Sequence, residues 1–418
     1  MSTHSPSTDP APPQVPGLVE SLFVGQVADP YPVYAELRET GDGIHWSDVL
    51  QAYVVTRYAD VRRIGGDAAT FSSDVFYDSA PSLHNPQDPE HLRFLDAASR
   101  LFMFADPPVH TRIRSTFRHV FTVRAVQDWR PLVERVTTEL IDRYPRGEEF
   151  DIMPGFAADV PVAVIAAILG VPDEMRPRFR EWSYAYASTF DPVVQGERRD
   201  RAIATSLELF DYLGDLVAAR RAEPRDDLIS TLVQTETITG ETLTDVELLA
   251  QLALLLVAGN ETTTTLIGGG LTLLFDHPEV RRRIEADMSL LPAAIEEMLR
   301  IDPPLHLVIR KTTTDVEIGD RTVPAGTLLF PSPAAANRDP RRFAEPDSFL
   351  VSREDNKHLG FYHGVHFCVG APLARLEGQV VFESILRSFP DARPGATPAV
   401  RRSTNSVARG WETRPVIL

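Results

Sequence analysis

The sequence has a single cysteine, Cys368, in 418 residues. No disulfide can form within the chain, and a reducing compartment is permitted. The same scarcity excludes an iron–sulfur cluster, which needs several thiolates. Long apolar runs are missing too: the longest, residues 252–258, is far short of the roughly 20 residues that cross a bilayer. Basic charge is in deficit, 42 Lys and Arg against 59 Asp and Glu for a net charge of −17, which argues against a nucleic-acid partner. Residues 1–16 are rich in Ser, Thr and Pro without an apolar stretch, so they read as neither signal peptide nor membrane anchor. Residues 1–17 are expected to be a disordered tail. No repeat and no linker divides the rest. Length alone would allow two or three domains. The uninterrupted pattern predicts one large, mainly α domain with small β-sheets over residues 18–418, long enough to bury a core and a cofactor. A cytoplasmic monomer is the resulting expectation.

What is present gathers around the cysteine. From His358 to Glu377 the chain is punctuated by Gly360, Gly364 and Gly370, then turns helical from Pro372. A thiolate needs a metal, a cation or a helix N-terminus to stabilise it, and here a helix begins just beyond the sulfur, with free N–H groups to offer. Phe361 and Phe367 flank the site and would keep water away. An isolated cysteine is more often a small buried apolar residue; the spacing of its neighbours decides between the two readings.

Three other stretches carry polar groups in patterns that invite chemistry. Asp106 to Arg114 opens a helix with His110 and Arg114 four apart on one face, suited to two carboxylates of a ligand or to a solvated face. A long helix is predicted from Thr244, with Glu247 completing a capping box, to the region of Asp276. It is apolar on nearly all sides from Leu248 to Ala258 and so should be buried. Ala258, Gly259, Asn260, Glu261, Thr262 and Thr263 then interrupt it, a poor choice for packing. No phosphate-loop glycine spacing or lysine accompanies Gly259. Glu297 and Arg300 form an acid–base pair at helical spacing. The segment 71–100, with Pro81, Pro86 and Pro89, reads as a long irregular loop whose Phe76, Tyr77, Leu83 and Phe94 either line a pocket or pin the loop down.

Phe361, Gly364, His366, Cys368 and Gly370, followed by the run Ala371 to Arg375, resemble the haem-ligand loop of the cytochrome P450 family. The resemblance extends from about Asp29 to the C-terminus. It departs from the family at Tyr362, where glycine is usual and allows an unusual backbone angle; the turn is expected to be slightly rebuilt.

The resemblance implies haem b ligated through iron by Cys368, with Phe361, His366 and Gly370 in the ligand loop. It implies propionates paired with His110, Arg114, Arg310 and His366, O2 as co-substrate, and the Ala258 and Gly259 stretch over the haem, where Gly259 would let the macrocycle or oxygen approach the backbone. It gives catalytic roles to Glu261 and Thr262. Phe76, Phe94, Val257, Ala258, Leu305, Val308 and Val407 would line the substrate pocket, with residues 175–190 as a lid. Glu297 and Arg300, completed by Arg353, would be structural. With no bound flavin expected, electrons would come from a separate ferredoxin and reductase, docking near Arg112, Arg118, Arg341 and Arg342. The substrate would be a lipophilic or aromatic small molecule. A peroxide-driven peroxygenase would share the fold but normally lacks the acid–alcohol pair. A non-catalytic haem-binding protein would need neither Thr262 nor the lid.

Overall fold

The computed structural model describes residues 17–23, 27–79, 88–190, 194–402 and 407–418. The expected tail therefore lies outside the described residues except Gly17, and so does Leu83.

Its axis is a 32-residue helix, Asp245–Asp276, about 48 Å long at ~1.5 Å per residue. Thr244 caps it by accepting from the Glu247 amide, while Glu247 returns a bond to the Thr244 amide at 3.0 Å. This reciprocal bonding satisfies two donors that a helix start otherwise leaves bare. Residues 248 and 250–256 are buried, because other helices surround the axis. Ala158–Ile168, Arg176–Thr189, Glu197–Ala222, Leu291–Ile301 and Ala371–Ser388 all pack on it. The main core is made from their apolar faces.

A five-stranded sheet stands to one side, in the order Ile44–Ser47, Ala52–Val55, Leu328–Pro331, Arg310–Thr312, Phe71–Ser72. Ala52–Val55 runs parallel to Leu328–Pro331 and the other pairings are antiparallel. Leu329, Val55, Phe71 and Ile44 seal a second apolar cluster beneath it. The C-terminal segment is less simple than one hairpin. Val400–Arg401 pairs with Trp411–Thr413, while Pro415–Ile417 sits between Arg393–Pro394 and Glu149–Asp151.

The region 71–100 is not irregular throughout. Pro89–Ala98 is a helix, capped by Asp88, whose carboxylate accepts from the Glu90 amide at 2.9 Å. Proline at the first helical position costs nothing, since its missing N–H would be unpaired there. Asp88-Pro89 is thus a helix start rather than a breaker. No described helix is long and apolar enough to cross a membrane.

Candidate active site

Cys368 ends a loop that the surrounding polar network holds in place. Asn337 accepts the Leu359 amide at 2.7 Å, and the Cys368 amide donates to the Phe361 carbonyl at 3.0 Å. Beyond the cysteine, Arg375 on the helix Ala371–Ser388 meets Glu296 at 2.6 Å and stacks 4.5 Å from the Phe361 centroid. Burial would raise the Glu296 carboxyl, but bonds from Arg375 and His358 overcome it and hold the group at about 2. The helix is therefore pinned at its first turns, where the loop delivers the sulfur. Burial pushes the Cys368 thiol up; the amides of Gly370 and Ala371 and the charges of Arg114 and Arg375 oppose this. Cys368 nonetheless has accessible surface. The two facts agree if the sulfur faces an internal recess rather than bulk water.

Tyr362 carries the unusual backbone angle itself. It adopts φ 59°, the left-handed region that glycine enters freely and that costs other residues about 1–2 kcal/mol. Gly364, at φ 74°, is irreplaceable for another reason: a Cβ there would lie 2.0 Å from the Gly65 carbonyl oxygen.

Four cation-forming side chains converge on the loop from three elements. His110 and Arg114 come from the helix Val109–Arg114, His366 from the loop, and Arg310 from the sheet. The His110 and His366 rings are 4.2 Å apart, and Arg114 donates to the Phe367 carbonyl. Ser73 Oγ lies 2.8 Å from His366 Nε2. Burial drives the His110 imidazole down to about 4, helped by Arg114, and His366 to about 2, helped by Arg310. Both nitrogens of buried His110 lack a hydrogen-bond partner among the described residues. Buried polar groups are rarely left so, and here they sit among positive charge. The cluster is built to receive a ligand bearing acid groups.

The central helix contributes the opposite wall. Along its buried length Ala258 is exposed, and Val257, Gly259, Glu261 and Thr262 are half-exposed. A Cβ on Gly259 would meet nothing within 4 Å. Exposure in the middle of an embedded helix marks internal space. Thr262 Oγ1 returns a bond to the Ala258 carbonyl at 2.7 Å, and Arg402 donates to Glu261 at 2.5 Å. Asn260 reaches Ser183 at 2.9 Å, tying the expected lid helix, Arg176–Thr189, to this wall. Leu305 bridges Ala408, and the His306 amide donates to the Val407 carbonyl at 2.8 Å, so the 305–308 segment and the 407–408 segment run side by side. Leu305 and Val308 are half-buried and Val407 is 37% exposed. Phe76 is buried, with its ring 5.4 Å from Phe104. Phe94 sits elsewhere: it has no exposed surface and packs on Tyr186 and Phe210 between helices. Its place is the core, because the helix Pro89–Ala98 turns that face inward.

The cytochrome P450 profile matches residues 91–392. The chain belongs to the cytochrome P450 family. It is 37% identical to cytochrome P450 107B1 of Saccharopolyspora erythraea over 92% of this chain and 93% of that one. It is 36% identical to 6-deoxyerythronolide B hydroxylase of the same organism, over 87% and 89%. The solved structure of PksS, the cytochrome P450 of the bacillaene polyketide synthase of Bacillus subtilis 168, superposes with a TM-score of 0.83 at 33% identity, covering 94% of this chain and 97% of that one. The protein is thus a monooxygenase, an oxidoreductase of a family that uses haem iron and O2 on small molecules with redox partners. The orphaned nitrogens of His110, the positive cluster and the open space at Gly259 all suit that cofactor.

Glu297 and Arg300 of this P450 are buried together, with Arg300 Nε 2.5 Å from Glu297 Oε2. Arg353 Nε and the Leu350 amide reach Oε1 at 3.1 and 3.0 Å, and Asn356 reaches Oε2 at 3.2 Å. Three of the four surface cations expected at a docking face are already paired. Arg112 bonds Glu247, the acid of the capping box; Arg341 bonds Glu39 and Asp339; Arg342 lies 2.9 Å from Asp355. Arg118 is exposed beside His119. Sequence reasoning missed Glu296, Arg402 and Glu377, whose partners lie 79, 141 and 114 residues away; no local spacing announces them.

Proposed function

We propose that residues 18–418 form one haem-thiolate domain that inserts an oxygen atom of O2 into a lipophilic small organic substrate, by hydroxylation or a related oxidation. The reading adds that it works as a cytoplasmic monomer supplied by a separate ferredoxin and reductase. The observation that carries it is the meeting of Cys368 with two guanidinium groups, Arg114 and Arg310, and two imidazoles, of which buried His110 has no hydrogen-bond partner among the described residues. A haem bound through Cys368 would supply the oxidising chemistry, activation of O2 and oxidation of a C–H bond.

The chain's own residues have distinct tasks in this reading. Cys368 Sγ would ligate the iron, with the loop through Phe361, His366 and Gly370 shaping its surroundings and the Gly370 and Ala371 amides offsetting its negative charge. His110, Arg114, Arg310 and His366 would hold the propionates by charge-assisted hydrogen bonds. Ala258 and Gly259 leave room beside the helix backbone. Thr262 holds a proton at Oγ1 next to that space, and Glu261 passes protons from solvent toward it. Phe76, Val257, Leu305, Val308 and Val407 exclude water and orient the substrate. The similarity to a hydroxylase named for 6-deoxyerythronolide B and to PksS supports a natural-product substrate.

The test is reconstitution with a surrogate ferredoxin and reductase. The purified chain should give the red-shifted Soret band of a thiolate-ligated reduced carbonyl complex, and spin-state titration should select a substrate that is then oxidised. Cys368→Ser should abolish that band. Persistence of spectrum and turnover in Cys368→Ser would overturn the reading.

A further inference from the structure

Tyr362 stands where backbone geometry favours glycine, at φ 59°. Its side chain is only 8% exposed, and its hydroxyl has no hydrogen-bond partner among the described residues. Neither fact recommends tyrosine. What the ring touches does. The Arg310 guanidinium carbon lies 4.9 Å from the ring centroid. On the helix Tyr58–Gly66, a Cβ at Gly65 would come within 3.2 Å of Tyr362 Cζ, so the glycine makes room for the ring. Arg310 is itself 6% exposed, and Nη1 donates to the Ile309 carbonyl at 2.6 Å.

We propose that Tyr362 is a positioning residue for the cofactor: its ring holds the Arg310 guanidinium by a cation–π contact and presents it to a carboxylate of the haem. This rests on the haem-thiolate reading above. The physical case concerns what kind of partner a ligand-binding arginine can have. A protein carboxylate beside Arg310 would fix it but neutralise it, and so weaken its attraction for the ligand's acid group. A ring face attracts the cation through its quadrupole and leaves the N–H donors and the net charge available. Glycine at 362 would suit the backbone and leave Arg310 without this support.

The experiment uses the full-length haem-loaded protein and measures haem transfer to excess apomyoglobin together with the haem reduction potential. Tyr362→Gly separates ring from backbone, because glycine accepts φ 59° without strain. It should lose haem roughly tenfold faster and shift the potential. Tyr362→Phe, which keeps the ring and drops only an unpartnered hydroxyl, should restore the wild-type rate and potential. Adding Arg310→Lys to Tyr362→Gly should accelerate loss less than Arg310→Lys does alone. A Tyr362→Gly protein with unchanged thiolate spectrum, haem loss and potential overturns this inference while leaving the haem reading intact. Equal damage in Tyr362→Phe also overturns it, by moving the effect to the hydroxyl. A chain that takes up no haem overturns both.

Discussion

Arg402 Nη1 donates to Glu261 Oε1 at 2.5 Å, tying the acid in the middle of the central helix to the C-terminal segment. Both side chains are about one-quarter exposed, so the pair sits between the internal space and solvent. If Glu261 is the proton carrier, Arg402 matters only through it. Glu261→Gln should cut product formation roughly 10²-fold. Arg402→Met should cost less than about tenfold, because the carboxylate survives, and should add nothing in the Glu261→Gln background, as expected of residues acting as one unit. Rates and coupling of reductant to product would be measured for the four proteins. Additive losses would separate the two residues.

The Glu297 carboxylate accepts from Arg300, Arg353, Asn356 and the Leu350 amide while having only 1% exposure. Removing it leaves two guanidinium groups buried without their counter-charge. Breaking such a pair costs about 3–5 kcal/mol. Glu297→Ala should therefore lower the unfolding free energy by that amount and impair retention of haem, since Asn337, which receives the Leu359 amide, offers its carbonyl to Arg300 at 3.0 Å. An unfolding free energy within about 1 kcal/mol of wild type would contradict this.

How far the sequence disclosed these arrangements depended on range. The capping box of Thr244 and Glu247, the buried run before Ala258 and the glycine-punctuated loop at Cys368 are local, and each was readable from spacing. The helix Pro89–Ala98 was local too but was obscured, because proline was weighed as a breaker rather than as a first-turn residue. The meeting of His110, Arg310 and His366 follows from packing, and only family resemblance foretold it. Arg402, Glu296 and Glu377 give no sign, since a polar contact between residues some 80 to 140 positions apart leaves no period in the chain. Phe94 was misplaced because an aromatic beside a suspected pocket looks the same whether it faces in or out. Tyr362 is visible in the sequence as a departure from the family pattern, whereas its glycine-like φ is set by the fold.

His306 supplies a prediction for acid. It has no exposed surface, its Nδ1 is 3.3 Å from the Tyr34 hydroxyl, and burial lowers it from 6.5 to about 3, Asp302 opposing and Arg409 assisting. The unfolded chain takes up this proton first as pH falls. The stabilisation is complete above pH 6.5 and is lost progressively toward about 3. Between pH 6.5 and about 4 the loss from this residue is on the order of 3 kcal/mol. His110 and His366 have the same sign, so the comparison is with His306→Asn, whose unfolding free energy should fall less steeply over that range. Parallel profiles would refute the assignment.

Glu377 makes the opposite prediction in base. It is 2% exposed on the helix that follows the cysteine, and Thr263 of the central helix donates to it at 3.3 Å. Burial raises its carboxyl from 4.5 to about 8 against that single bond, so near neutrality the folded chain keeps a proton that the unfolded chain has released. Stability is therefore full below pH 4.5 and is lost as pH rises through about 8. The full loss is on the order of 4–5 kcal/mol. Glu377→Gln preserves shape and neutrality and leaves the histidines as they are, so the difference in unfolding free energy between variant and parent should grow in the variant's favour from about pH 5 to 8.5. The variant should be the more stable protein at the alkaline end. A parent and variant that decline together would show that the carboxyl is ionised in the folded state and that Thr263 alone satisfies it.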